Sequence, residues 1–143
     1  MTDKPSIRKK ERLLPKWRED LDLLDKIPLG ISVSTLEGEI LAVNSGGLKM
    51  FGYDSRKDFI GHKADFHWQA PQKDRNKFVE LLKNKGGTAF FRAPFKRKDG
   101  SVIWCSINAA IELTDNVPLI FASYHNVTEH KQAEEKLQTM GDI

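Results

Sequence analysis

The sequence has 143 residues, 39% of them hydrophobic and 30% charged, with a small net charge of +3, which fits one domain with a packed core and is ordinary, if slightly polar, for a soluble protein of this size. Its single cysteine, Cys105, excludes an intrachain disulfide, a CxxC metal site and CxxCH haem attachment. No apolar run approaches the ~20 residues of a membrane span, and the N-terminus lacks the apolar core of a signal peptide, so the fragment is expected to be cytoplasmic and to make no membrane contact.

Residues 1–12 are polar and read as a solvated tail containing Arg8-Lys9-Lys10. Pro15 suits a first helical turn. Trp17, Leu21 and Leu24 follow at spacings of four and three and predict an amphipathic helix ended by Pro28. Its stripe has no apolar neighbour in sequence, so it must dock on the domain or on another chain. Gly30 to Thr35 alternates, with Ile31 and Val33 on one face, and Ile40 to Val43 returns after a Glu37-Gly38 turn. Asn44 or Ser45 can cap a short helix that carries Leu48 and Phe51, and Ser55 opens another ahead of Phe59 and Ile60. Residues 62–71 read as irregular. Residues 72–85 predict a helix burying Phe78, Leu81 and Leu82, ended by Gly86-Gly87.

Three strands complete the pattern. Phe90 to Phe95 is followed by Lys96-Arg97-Lys98, read as a solvated turn, and by Asp99-Gly100, a strong hairpin signal. Val102 to Leu113 alternates: Ile103, Cys105, Ile107, Ala109 and Ile111 share one face, Trp104, Ser106, Asn108 and Ala110 the other. Pro118 to His125 is apolar on both faces, as in a central strand. Hairpin connections make the sheet antiparallel, and the fold class α+β. No stretch interleaves aromatic and basic residues, so no nucleic-acid partner is expected. From Thr128 the sequence runs directly into an Ala/Glu/Lys/Gln-rich helix.

In order and spacing, IPLGI, LEGEILAVN, GLKMFGY, DFIG, APQKDRNKF, FKRKDGSVIW and NVTEHKQAEEKL together resemble the PAS family over roughly residues 27–137. The resemblance implies a five-stranded antiparallel sheet in the order 2-1-5-4-3, with short helices on one face around a small pocket. The expected limits are 1–26 for the tail and cap helix, 27–127 for the PAS domain, and 128–143 for the opening turns of a longer signalling helix. The closing stretch matches the family's Asp-x-Thr signature with Asn126 in the Asp position and Thr128 in the Thr position. In the family the Asp couples the end of the last strand to the first strands and the exit helix; Asn keeps hydrogen-bonding capacity and loses the charge, so a salt bridge is not available here.

The same comparison bears on cofactors. The position of the flavin-reactive Cys of light-sensing relatives is Ala64, and the position of the haem-ligating His is Phe78. Haem and a flavin adduct are therefore disfavoured, and no tightly bound cofactor is expected, although a small apolar ligand fits the lining. That lining is expected to comprise Val33, Val43, Leu48, Phe51, Phe66, Trp68, Phe78, Leu82, Phe91, Cys105, Ile107 and Ala122, with Trp68 at the mouth either stacking on a planar ligand or, the favoured reading, plugging the hole. His62 and His67 lack a third ligand at a recognisable spacing and read as surface residues, so no metal site is expected.

No catalytic motif is present: there is no phosphate-cradling glycine loop and no HExxH, and the residues after His130 do not match a phosphoacceptor box. The leading expectation is a bacterial sensory and dimerisation module without catalysis of its own. It would signal to a histidine kinase or cyclic-dinucleotide enzyme in the same chain. His130, Ala133, Leu137 and Met140 form a short a/d stripe for a two-chain helix. Trp17, Leu21, Leu24, Trp104 and Phe121 are the expected homodimer contacts. The alternative is a ligand-free interaction domain using the outer sheet face.

Overall fold

The computed structural model describes residues 25–60, 63–84 and 88–141. Trp17, Leu21, Leu24 and His62 lie outside them. Strands β1 (Gly30–Thr35) and β2 (Ile40–Val43) form a hairpin turned at Gly38, whose φ of 96° suits glycine. Helices α1 (Ser45–Phe51) and α2 (Arg56–Ile60), a 3-10 turn (Ala64–His67) and helix α3 (Pro71–Asn84) follow. Strands β3 (Thr88–Lys96), β4 (Val102–Thr114) and β5 (Val117–Asn126) then lead into helix α4 (Thr128–Gly141). The five strands form one antiparallel sheet in the order β2-β1-β5-β4-β3. Among the described residues no helix is long and apolar enough to cross a membrane.

The alternation along β4 places Ile103, Cys105, Ile107 and Ala109 in the main core, beneath the helices. Ile120 and Ala122 of β5 join them. A second cluster, Val33, Leu41, Ala42, Val117 and Leu119 with Phe121 packed against it, occupies the opposite face. Val33 therefore does not line the interior. The alternation of β1 was legible, but its polar residues turn inward: Ser32 stands opposite Ala122 and Ser34 opposite Ile120, and both serines are buried. On β2 the register steps from Val33↔Ala42 to Ser34↔Ile40, leaving Leu41 as an extra residue. This bulge lets Leu41 and Ala42 both join the outer cluster while Ile40 and Val43 stay in the main core.

Local chemistry fixes the helices. Asn44 caps α1, its Oδ1 accepting from Gly47 N–H at 2.9 Å, and Gly52 closes the helix in the left-handed region at φ 79°. A side chain on Gly46 would overlap the Leu29 carbonyl, so this approach requires glycine. The turn Lys96-Arg97-Lys98 is not simply solvated: Arg97 Nε donates to the Met50 carbonyl at 3.1 Å, where a cation complements the helix C-terminus, and Lys98 N–H donates to the Phe51 carbonyl at 2.8 Å.

Asp25 fastens the segment before β1 to both short helices. Its Oδ1 accepts from Ser45 N–H at 2.6 Å, and both carboxylate oxygens lie 2.8 Å from Arg56 Nη2. Burial pushes this carboxyl up, but the Ser45 N–H and the Arg56 guanidinium outweigh it and hold it below the usual value of 3.8. A depressed folded-state pKa adds stability that is fully present above the unfolded value and lost as pH falls through the folded one. Asp25→Asn is therefore expected to cost about 1 kcal/mol at neutral pH, a modest figure because the pair is partly exposed. The variant should also flatten the loss of stability below pH 3.8. Urea melts of both proteins at neutral pH and on acidification check this, and parallel curves would contradict it.

Candidate functional site

Between helices and sheet, aromatic rings pack against one another in the interior. Trp68 packs on Phe95, Phe78 and Phe91 with centroids 4.5, 5.4 and 5.7 Å apart. Phe51 continues the array to Phe59 at 5.7 Å, to Phe95 at 6.0 Å and, edge-on, to Tyr124 at 5.7 Å. Of the residues expected to line a pocket, Val43, Leu48, Phe51, Trp68, Phe78, Leu82, Cys105, Ile107 and Ala122 fall in this one buried cluster, and Phe91 packs against it. Phe66 does not: it is 55% exposed, because the 3-10 turn directs His67 inward in its place. His67 is only 3% exposed and stacks on Phe59 at 5.0 Å and 11°, with its Nδ1 3.3 Å from the Lys96 carbonyl. The surface reading of His67 is thus corrected: its imidazole packs as one more ring.

Trp68 sits where its strand-like segment meets β3, through a bridge to Phe95 and a bond from Gln69 N–H to the Pro94 carbonyl. Cys105 is fully buried, with Sγ 3.7 Å from Met50 Sδ, and burial pushes its thiol up to about 12. At neutral pH the sulfur is protonated and serves as a small apolar group. Polar groups missed by the sequence reading enter from β1 and β5. Ser32 Oγ donates to Tyr124 Oη at 3.2 Å, and burial raises the Tyr124 pKa despite that bond. The missing signal was strand register, which decides whether the serines or Ile31 and Val33 turn inward.

The second notable place is the junction of β5 and α4. Beyond the last β4–β5 pair, Cys105↔Asn126, Val127 N–H donates to the Trp104 carbonyl at 2.8 Å. Trp104 N–H donates to Thr128 Oγ1 at 3.0 Å. The hydroxyl and the N–H of Thr128 both donate to Asn126 Oδ1, at 2.6 and 3.0 Å. One residue later the chain is helical, with Lys131 N–H bonded to the Val127 carbonyl at 2.8 Å. No glycine is needed, because side chains satisfy the groups that a strand end and a helix start leave open. The first turns of α4 cross the outer sheet face. Lys131 Nζ stands 4.7 Å from the centroid of the Trp104 ring, and Glu134 reaches His130 at 2.9 Å and Arg92 at 3.6 Å. Trp104 is therefore partly covered by its own chain. Farther on, Leu137 and Met140 are 68% and 60% exposed.

A PAS domain family model matches residues 28–129, and the chain belongs to that family. Solved structures share the fold at low identity. A PAS domain from Desulfitobacterium hafniense is 20% identical with a TM-score of 0.64, covering 73% of this chain and 98% of that one. One from Colwellia psychrerythraea is 18% identical with a TM-score of 0.68, covering 80% and 98%. A domain of a sensory box sensor histidine kinase/response regulator from Geobacter sulfurreducens is 18% identical with a TM-score of 0.63, covering 82% and 99%. Among curated proteins no sequence matches.

Proposed function

We propose that this PAS domain is a non-catalytic sensory and dimerisation module that relays a ligand, redox or partner signal through α4 to an output domain, a histidine kinase or a cyclic-dinucleotide enzyme. The observation that carries this reading is the junction. Thr128 ties the first turn of α4 to the backbone of β4 through Trp104 and to the end of β5 through Asn126. A shift in the packing of β4 against β5 therefore acts on the direction of the helix, as a change in the populations of two packings. The sensor histidine kinase relative supports the choice of output. The exposed Leu137 and Met140 suit the seam of a two-chain helix, in which a second copy would bury them. The same geometry weighs against the outer face around Trp104 as a general docking surface, since Lys131 lies over that ring.

Thr128→Ala removes a hydroxyl that both accepts from Trp104 and donates to Asn126. The expected result is hydrogen exchange about tenfold faster across residues 126–134, the effect of ~1.4 kcal/mol of lost local stability, with the strands unchanged. Unaltered exchange at these residues would remove the coupling role.

A further inference from the structure

We infer that residues 13–24 form a helix that docks on the outer sheet face of this same chain, across β1, β2 and β5. Burial on that face is uneven. At one side Val33, Leu41, Ala42, Val117 and Leu119 are each no more than 5% exposed. At the other side Phe90 and Val102 are 61% and 41% exposed. A side chain on a sheet face stays solvated unless something lies over it. Among the described residues, the apolar side chain packed against the buried cluster is Phe121, which belongs to the sheet itself. Helices α1, α2 and α3 place Leu48, Phe51, Phe59, Phe78 and Leu82 in the main core on the opposite face. Helix α4 reaches the outer face at Trp104 and Arg92, on β4 and β3. The structure is of a single chain, so the cover over β1, β2 and β5 comes from this chain's own residues outside the described ones.

Length and pattern select the segment. Residues 61–62, 85–87 and 142–143 are too short to cover apolar side chains on three strands, which leaves residues 1–24. Within these, Leu14, Trp17, Leu21 and Leu24 recur at spacings of three, four and three, one face of a helix, and Glu19 falls on the opposite side. Twelve helical residues span about 18 Å, close to the length of a six-residue strand such as β1. The next residue, Asp25, is held by Ser45 N–H and by Arg56, which also donates to the carbonyl of Val43 at the end of β2. The segment therefore starts from a point fixed beside the strands that it covers. Docking on its own sheet is intramolecular, and this favours the same chain over a second copy. The apolar stripe meets a cluster that is itself wholly apolar, so burial of both drives the contact. The assignment does not depend on the coupling proposed for Thr128, and the two are tested by separate readouts.

The test attaches a nitroxide to the polar side of the segment, through Glu19→Cys in the 143-residue chain, and reads amide NMR intensities. Cys105 is fully buried and stays unlabelled. Signals of Val33, Ala42 and Leu119 should lose most of their intensity, and those of Phe90 and Val102 should keep more of theirs. A mixture of nitroxide-bearing chains with isotope-enriched chains that carry no nitroxide should show no such loss, because the contact lies within one chain. Leu21→Asp, which puts a charge into the stripe, should restore the Val33, Ala42 and Leu119 signals, with the remaining strand signals reporting an intact sheet. Loss of intensity in the mixture would assign the cover to a second copy and overturn the assignment. So would undiminished signals at Val33, Ala42 and Leu119, or a loss that persists in Leu21→Asp.

Discussion

Asn44→Ala is expected to cost about 3 kcal/mol of folding stability, far more than a surface cap normally contributes. The side chain is fully buried and serves three backbone groups at once. It accepts from Ile31 N–H at 2.7 Å and from Gly47 N–H at 2.9 Å, and donates to the Leu29 carbonyl at 2.8 Å. Those groups belong to the entry and first residues of β1 and to the first turn of α1. Alanine leaves all three inside the protein without these bonds, and each lost bond to a buried group costs about 1–3 kcal/mol before any water enters. Asn44→Asp keeps both acceptor contacts and loses the donor, so it should retain part of the stability. Urea denaturation of the three proteins measures the series. A loss below about 1 kcal/mol in Asn44→Ala would mean that water replaces the amide without strain.

Trp68→Ala should cost about 3–5 kcal/mol, the range for removing a large ring from a packed core. The vacated space would be walled by Phe78, Phe91 and Phe95, an apolar void of the kind that stays dry and accepts small aromatic molecules. Indole should therefore restore part of the stability of the variant and leave the parent protein unaffected. Thermal melts with and without indole report both. Equal stabilisation of the parent would show that Trp68 does not fill the interior and that a ligand can enter beside it.

Much of the fold is legible in the sequence because strand alternation and turn chemistry are local. Asp99-Gly100 marks its hairpin: Gly100 takes φ 87°, and Asp99 Oδ1 holds the Ser101 N–H at 2.9 Å. The even spacing along β4 separates Trp104 from Cys105 without knowledge of the rest of the chain. Alternation gives two faces, however, and does not say which is inside. That choice fell to long-range pairing at β1, where β5 brings Ala122 and Ile120 opposite the serines. His67 was misread for a related reason. Its burial depends on Phe59, Phe51 and the Lys96 carbonyl meeting from three separate segments. The Asn126–Thr128 pair was found through family resemblance, while the hydrogen bonds to Trp104 follow from the placement of β4 beside β5.

The strand order has a consequence for how the molecule is made. Among the described residues, β5 is the last strand in chain order, the middle of the sheet and the only strand joining the β1–β2 hairpin to the β3–β4 hairpin. An isolated hairpin is marginal in water. A nascent chain emerging from the ribosome therefore holds two unjoined halves until Asn126 is available, and loop closure over some ninety residues must precede the final pairing of Gly30 with Tyr124. Folding should be late and all-or-none, and a chain that stops within β5 should be a target for proteolysis. The strand that completes the sheet is also the one from which α4 departs, so the hydrogen bonds that hold the first turn of α4 form only once the domain has finished folding.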